Sequence, residues 1–219
     1  MVPDIVNKKI VNRLYDDANW SFTSFFSTME DISSFIDIAE DINFILNSNK
    51  IKYRDLSVLG SCEEHSVNVG ILNGLIGRYL NVPNIKDLIL GGLLHDIGKY
   101  FVPNNILNKA GTLTLDERLI MNQHADIGHY IIKDIIKNDN VSSIIRNHHN
   151  IKIEISKDVL EGKVEDEKEL YSHICAISDI VDAMFSFRPY KSPLTIDEVK
   201  RELKIKGFWG IEMLFKYIL

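Results

Sequence analysis

Five of the seven histidines fall on apolar stripes with helical spacing, which is where a buried helix face would carry them. Side chains four or seven residues apart lie on the same face of a helix. His65 is separated in this way from Val69 and Leu72, and His95 follows Leu88 by seven residues. The pattern therefore predicts inward-facing imidazoles on four separate helices. The five histidines are His65, His95, His124, His148 and His149.

A shared metal centre explains these histidines better than five unrelated core positions do. One histidine on an apolar face is most often a core residue with a single hydrogen-bond partner. Five of them, together with Asp96, would each need a partner once buried. Imidazole and carboxylate ligands together suit iron, manganese, zinc or nickel. One metal site would satisfy the whole set.

The adjacent pair His95 and Asp96 favours two metal ions over one. Neighbouring residues of a helix point about 100° apart, so they cannot easily chelate one ion side by side. They can serve two ions, or Asp96 can bridge both ions while His95 binds one. Two divalent ions polarise a phosphoryl group and generate a bound hydroxide at neutral pH. The pair thus indicates a dinuclear centre suited to phosphoester hydrolysis.

A further carboxylate ligand is expected from the helix predicted over residues 167–185. Asp179 shares its face with the small residues Cys175 and Ala176, which leave room around a carboxylate. Asp182, one helical turn later, is the alternative, and spacing alone does not choose between them.

The elements that must position these ligands are helices, so the predicted fold class is all-α. We expect helices over 115–137, 141–149 and 167–185, the first beginning at a capping box formed by Thr114 and Glu117. No run of residues alternates convincingly with a period of two.

Several smaller features complete the expected organisation. Asn84 could cap a helix that ends near Gly98, and within it Gly91 and Gly92 would let a neighbouring helix approach closely. Residues 151–155 (IKIEI) could form a short extended piece.

The chain is predicted to have two units: an N-terminal helical segment (residues 1–50) and a helical bundle (51–219). The aromatic residues of the first unit, which include Phe35 and Phe44, are expected to belong to a core. A polar stretch at 47–50 reads as the linker. The segment could pack on the bundle, mediate dimerisation, or be the remnant of a sensor domain.

Composition limits the classes of function. The chain has 219 residues, 45% of them hydrophobic, and a net charge of -6 without a basic block, so we expect no polymeric nucleic-acid partner. Two cysteines suit a reducing compartment. The N-terminus lacks the layout of a signal peptide, and no apolar run reaches about 18 residues. A cytoplasmic protein without a membrane partner is predicted.

From residue 62 onward the chain resembles the HD-GYP branch of the HD-domain phosphohydrolase superfamily. The resemblance implies an HD-domain helical bundle with an N-terminal helical extension, built around two divalent transition-metal ions, iron or manganese. The matching stretches, in the family's order, are EEHSVNVG, LLHDIGKYFVPNNILNKAGTLTLDER, MNQHADIGHYII, IIRNHHN and ISDIVDAMFSFRPYK.

The resemblance also implies roles for single residues. It selects Asp179 over Asp182, because the family's ligand is the first Asp of the pattern D-x-x-D-A. Lys99, in HDIGK, resembles the family's phosphate-facing lysine, and Asp96 and Lys99 would be the catalytic pair. Arg188 and Lys191 would bind further substrate phosphates with Lys99. The implied metal ligands are His65, His95, Asp96, His124, His148, His149 and Asp179.

Two departures from the family pattern bear on substrate and metals. The Gly-Tyr-Pro tripeptide is absent, and Asn150 begins an acidic loop that runs to Glu169. Turnover of cyclic di-GMP is therefore expected to be weak or slow. Ser61 stands where some members carry a glutamate that helps bind a third metal, so the centre is read as dinuclear.

The function implied is a phosphodiesterase that hydrolyses a cyclic dinucleotide such as cyclic di-GMP. The alternatives are hydrolysis of another nucleotide or phosphoester, a catalytically weak regulatory domain, and a di-iron oxygenase. The complete ligand set argues against the regulatory domain, and the cations Lys99, Arg188 and Lys191 favour phosphate chemistry over oxygenation. The expected partner is a small-molecule nucleotide or phosphoester, and a homodimer is left open.

Overall fold

The computed structural model describes residues 29–48, 62–150, 158, 161–185, 193–206 and 211–218. Every regular element in these ranges is a helix, which confirms the all-α prediction. None of the described helices is long and apolar enough to cross a bilayer. The α-helices are α1 (Met29–Ser48), α2 (Cys62–Tyr79), α3 (Ile85–Leu94), α4 (Asn104–Leu107), α5 (Leu115–Asn122), α6 (His124–Ile136), α7 (Asp139–Asn147), α8 (Glu167–Phe185), α9 (Ile196–Ile205) and α10 (Ile211–Ile218), and a 3₁₀ helix (Ile97–Phe101) follows α3.

Helix α3 is the centre of the bundle. Its residues from Leu88 to Leu94 are all buried, as expected for a helix that is apolar on every side. Helices α1, α2, α7 and α8 each contribute buried side chains to the same core, for example Ile42, Leu72, Ile144 and Ile174. The central helix is therefore enclosed by its neighbours, and His95 directly follows its C-terminal residue, Leu94.

Two glycines of α3 allow this close packing, as the sequence predicted. A Cβ atom added at Gly91 would lie 2.4 Å from Cδ1 of Ile144 on α7. A Cβ atom at Gly92 would lie 2.6 Å from the side-chain nitrogen of Asn73 and 2.9 Å from Cα of Gly70, both on α2. Helices α2 and α7 thus approach α3 at distances that only glycine permits.

A polar network joins the N-terminal ends of α3, α7 and α8. The Asp87 carboxylate accepts hydrogen bonds from the side-chain amides of Asn138, at 2.8 Å, and Asn140, at 2.9 Å. The Glu167 carboxylate accepts from the Asn84 amide at 2.7 Å. Because the three helices begin at this network and extend away from it, the metal-ligand candidates that follow α3 and α7 are brought together at the opposite end.

The end of α3 differs from the sequence-based expectation. The helix ends at Leu94, and Gly98 lies within the 3₁₀ helix, so Gly98 is not the terminator of α3. A Cβ atom at Gly98 would lie 1.9 Å from the His124 carbonyl oxygen, so this glycine permits contact between two backbones. Asn84 is the N-cap residue but makes no side-chain capping bond, and its side-chain nitrogen donates to Glu167.

The helix predicted over residues 115–137 is in fact two helices. The capping box of Thr114 and Glu117 is present. Helix α5 nevertheless ends at Asn122. The backbone N–H of Gln123 then donates to the carbonyl of Ile120, only three residues earlier, at 3.2 Å. This tighter turn precedes the His124 backbone, which lies against Gly98.

The remaining helix predictions have mixed outcomes. Helix α8 has the predicted bounds, whereas α7 begins and ends two residues earlier than the predicted range of 141–149. Helix α1 extends through Ser48, across the first half of the expected linker. Residues 151–155 lie outside the described part of the chain.

Helix α1 packs on the bundle through one face. Phe35, Ile38 and Ile42 are buried in the same core as α2 and α3. Phe44 is 71% exposed, so the expectation that the aromatics of this segment belong to the core is wrong at that position. The division into residues 1–50 and 51–219 stays a prediction.

The contact at Gly91 predicts a stability difference between two matched substitutions. In Gly70→Ala and Gly91→Ala, alanine should gain up to about 1 kcal/mol of helix propensity. At Gly70 the new methyl group meets Cγ and Cδ2 of Leu93 at 3.1 and 3.2 Å and the Ile89 carbonyl oxygen at 3.3 Å, so a shift of a few tenths of an ångström relieves it. At Gly91 it meets the Cδ1, Cγ2 and Cβ atoms of Ile144 at 2.4, 2.8 and 3.0 Å. Overpacking of this kind costs about 1–3 kcal/mol.

We therefore expect Gly91→Ala to have the lower free energy of unfolding, by about 1–3 kcal/mol relative to Gly70→Ala. Urea denaturation followed by circular dichroism measures the difference. Equal stability of the two variants would contradict the close approach of α7 to α3.

Candidate metal centre

The structure brings all seven predicted metal ligands to one place. Most of them lie at helix ends, where a side chain can reach beyond its own helix. Their positions are His65 in the first turn of α2, His95 and Asp96 directly after α3, His124 at the start of α6, His148 and His149 directly after α7, and Asp179 within α8.

Four of these residues form a group that we call the first subsite: His65, His95, Asp96 and Asp179. The ligand atoms of His65, His95 and Asp96 lie within 4.8 Å of one another. The Asp179 carboxylate joins them, with Oδ1 at 3.0 Å from Nε2 of His65. Two imidazoles and two carboxylates can thus surround one cation.

The second subsite consists of His124, His148 and His149. Their ligand atoms also lie within 4.8 Å of one another. The Nε2 atom of His124 is 3.4 Å from Nε2 of His148 and 3.2 Å from Nε2 of His149. Three ring nitrogens therefore face a common point.

The Asp96 carboxylate lies between the two subsites. Its Oδ2 atom is 3.3 Å from Nε2 of His95, in the first subsite. Its Oδ1 atom is 3.3 Å from Nε2 of His124 and 4.0 Å from Nε2 of His148, in the second subsite. One oxygen faces each subsite, which is the arrangement that a bridging carboxylate requires.

Backbone carbonyls fix the proton positions on three of the imidazoles. The Nδ1 atoms of His95, His124 and His148 lie 2.8, 2.6 and 2.8 Å from the carbonyl oxygens of residues 92, 121 and 145. A carbonyl only accepts hydrogen bonds, so Nδ1 carries a proton, and in the neutral form of each ring the lone pair stands on Nε2.

The donor atoms of the centre fit a metal ion. Lone pairs on facing Nε2 atoms cannot hydrogen-bond to one another. In addition, Nε2 of His95 and Oδ1 of Asp96 are buried and make no hydrogen bond of acceptable geometry. Buried polar atoms left in this state are rare and call for an ion or another partner. Cations in the two subsites would satisfy every one of these atoms.

The electrostatic environment keeps His148, His149 and Asp96 in the states that bind metals. Burial lowers the pKa of His148 well below its ordinary value, and the nearby His95 and His149 lower it further. Burial and His124 likewise lower the pKa of His149. Burial alone would raise the pKa of Asp96, but His95, His124 and Lys99 outweigh that effect and hold the pKa well below its usual range. Neutral imidazoles and an ionised carboxylate result.

His65 lies between two carboxylates. Its Nε2 atom faces Asp179, and its Nδ1 atom lies 2.6 Å from Oδ2 of Asp182. Burial would lower the pKa of His65, but the hydrogen bonds to the two carboxylates dominate together with their charges and raise it to about 9. Asp182, which the sequence offered as the alternative ligand, therefore contacts the ring edge that points away from the subsite.

Among the cations predicted to bind substrate, Lys99 can be placed. Its Nζ atom lies 2.5 Å from Oδ2 of Asp96, and its side chain is 37% exposed. The lysine is thus at the edge of the centre, between the bridging carboxylate and solvent. Arg188 and Lys191 lie outside the described residues, as does Ser61.

The orientation of the histidine rings was not predicted from the sequence. The carbonyls that bond to His95, His124 and His148 each belong to the residue three positions earlier, in the last turn of a helix. Such carbonyls have no partner inside the helix. The helix ranges predicted from the sequence placed all three histidines inside helices, so only the true helix ends at Leu94, Asn122 and Asn147 reveal this arrangement.

Comparison with known proteins gives a family. Residues 63–184 match the family model described as HD domain. A cyclic di-GMP phosphodiesterase of Thermotoga maritima is 31% identical over 186 residues, which cover 82% of this chain and 46% of that protein.

Two further relatives match a smaller share of this chain. The cyclic di-GMP phosphodiesterase response regulator RpfG of Xanthomonas campestris is 30% identical over 67% of this chain and 38% of its own length. The 3'3'-cGAMP-specific phosphodiesterase 1 of Vibrio cholerae is 35% identical over 55% of this chain and 27% of its own length. The chain spans less than half the length of each of these relatives. The matched domain and these relatives confirm the resemblance to the HD-GYP branch, and the chain belongs to the HD domain family.

Proposed function

We propose that this chain is a metal-dependent phosphodiesterase that hydrolyses a cyclic dinucleotide such as cyclic di-GMP. The observation that carries the proposal is the Asp96 carboxylate, which presents one oxygen to each of two groups of converging imidazoles. The relatives are named as phosphodiesterases of cyclic di-GMP or 3'3'-cGAMP, and this supports the proposed substrate class.

We propose two divalent transition-metal ions, iron or manganese, as the cofactors. The first subsite would hold one ion through His65, His95, Asp96 and Asp179, and the second would hold the other through Asp96 and three histidines. Imidazole with carboxylate suits these metals. When bound, such a pair of ions polarises a phosphoryl group and supplies a nucleophile at neutral pH.

The chain's own residues position and neutralise the substrate in this proposal. Asp96 would contribute one carboxylate oxygen to each of the two subsites. Lys99 lies beside it with its ammonium group partly open to solvent, so the ammonium can turn from Asp96 to a substrate phosphate. Arg188 and Lys191 are proposed as further phosphate contacts on the basis of the family pattern.

Two acidic residues at the start of α8 give less reason to doubt a dianionic substrate than the sequence suggested. Asp166 caps α8 by accepting from the Lys168 amide at 2.8 Å, and Glu167 bonds to Asn84. Twelve residues of helix separate Glu167 from Asp179, a distance of about 18 Å. The charge of Glu167 therefore lies at the far end of the bundle and cannot repel a phosphate at the metal centre.

The alternative functions, the location, the partners and the oligomeric state remain predictions from the sequence. The alternatives are another nucleotide or phosphoester as the substrate, or a catalytically weak regulatory domain. A cytoplasmic location, the lack of a polymeric nucleic-acid partner and a homodimer all stay predictions.

Removal of the bridging carboxylate should abolish activity and lower the metal content. In Asp96→Ala, each subsite loses the ligand that the two share, so we expect fewer than two ions per chain and no detectable phosphodiesterase activity. Elemental analysis of protein purified anaerobically with iron or manganese, together with an assay on cyclic di-GMP, measures both. Asp126→Ala, at an exposed aspartate of α6, is the control and should keep both properties. Two ions and full activity in Asp96→Ala would rule out the bridging role.

Removal of Lys99 should separate activity from metal binding. In Lys99→Ala the two ions should remain, because the ammonium group is not a ligand. The turnover number should fall by roughly 10²- to 10³-fold, as when one preorganised charge-stabilising donor is lost. Lys86→Ala, at an exposed lysine of α3, serves as the control. Wild-type turnover in Lys99→Ala would show that another group neutralises the phosphate.

Substrate preference tests the effect of the missing tripeptide. Glycines permit close approach of backbone to ligand, and an aromatic ring beside a purine offers a stacking surface. Without them, we expect turnover of cyclic di-GMP below roughly 1 s⁻¹. Steady-state kinetics on cyclic di-GMP, 3'3'-cGAMP and a simple phosphodiester would be compared, with Asp96→Ala as the blank. Turnover of cyclic di-GMP at roughly 1 s⁻¹ or above would show that the tripeptide is dispensable.

A further inference from the structure

Asp182 is a fully buried carboxylate that contacts the metal centre from behind. It is 0% exposed, and its Oδ2 atom lies 2.6 Å from Nδ1 of His65. The opposite nitrogen of the same ring, Nε2, lies in the first subsite at 3.0 Å from Asp179. The ring of His65 is therefore held between one carboxylate outside the subsite and one inside it.

His65 needs a side-chain partner because of its place in the helix. His95, His124 and His148 each donate Nδ1–H to a carbonyl in the last turn of the preceding helix. His65 lies in the first turn of α2, where the nearby carbonyls accept hydrogen bonds from amides of the same helix. The Nδ1 atom of His65 instead contacts a carboxylate from α8, that of Asp182.

Resting on the proposed metal centre, we infer that Asp182 is a positioning residue for the first subsite. It accepts Nδ1–H from His65 and so directs the Nε2 lone pair toward the cation. An imidazole with a carboxylate behind it is also a more basic ligand, and loss of such a partner typically weakens metal affinity by 10- to 100-fold. Asp182 contacts His65, which belongs to the first subsite, so the effect should fall on one of the two ions.

A purely structural role is the competing explanation. Any buried hydrogen bond between α2 and α8 stabilises the fold, and its loss could disturb the centre indirectly. The two explanations differ in their dependence on His65. Positioning acts only through the His65 ring, whereas a structural contribution persists when that ring is removed.

The experiment is a metal titration of the metal-free full chain with manganese(II), by calorimetry under anaerobic conditions. We expect Asp182→Ala to weaken one of the two binding steps by roughly 10- to 100-fold and to leave the other unchanged. Asp182→Asn should have a smaller effect, because its carbonyl oxygen can still accept Nδ1–H, and this variant decides the matter if Asp182→Ala does not fold. Ser172→Ala, which removes a buried hydroxyl of α8 that donates to Lys168 O at 2.7 Å, should leave both steps unchanged.

A double-mutant cycle with His65→Ala completes the test. In the His65→Ala background, Asp182→Ala should cause no further loss of affinity. An equal loss in both backgrounds, or unchanged affinity in both Asp182 variants, would overturn the positioning role while leaving the proposed function intact. Failure of the wild-type chain to bind manganese(II) at all would instead overturn the metal centre, and the positioning role with it.

Discussion

The structure depends on holding several nitrogen and oxygen lone pairs, which have no hydrogen-bond donor, face to face in a buried space. Three Nε2 atoms of the second subsite lie 3.2 to 3.4 Å apart along two pairs, and the buried Oδ1 atom of Asp96 lies beside them without a hydrogen bond. Each buried polar atom without a partner costs about 1–3 kcal/mol. Such an arrangement is retained only if the surrounding helices enforce it or a cation satisfies it. The helices of this fold hold the donor atoms in place, and the donor atoms converge on two points where a cation could bind.

Helix ends perform most of that enforcement. The last carbonyls of a helix lack partners within it. A histidine placed just beyond the end uses one of these carbonyls to fix its tautomer, and it points its other nitrogen away from the helix. At the opposite end of the bundle, Asp87 and Glu167 hold the starts of α3, α7 and α8 together. The length of each helix then sets how far its ligand reaches, and Gly91 sets how closely α7 lies to α3.

The sequence could predict which side chains converge because their types and periodicity are local properties. His95 and Asp96 are adjacent, and the stripes around His65 need only helical spacing. The features it missed arise from contacts between distant segments. Gly98 interrupts no helix but admits the backbone of His124, twenty-six residues later, and the tight turn at Gln123 accompanies that contact. Spacing could not separate Asp179 from Asp182 either, because their roles depend on which edge of His65 each one faces.

The two subsites also differ in charge, and the difference follows from the positions of the carboxylates. The first subsite contains Asp179 and one oxygen of Asp96, and Asp182 adds a further carboxylate behind His65. The second contains three imidazoles, of which His148 and His149 are kept neutral by burial and neighbouring rings, and shares only the other oxygen of Asp96. A divalent cation is attracted more strongly where more carboxylates surround it in a poorly solvated space. The first subsite would therefore hold a divalent cation more firmly, and a cation in the second subsite, with fewer charged ligands, would keep more of its positive charge for a phosphate.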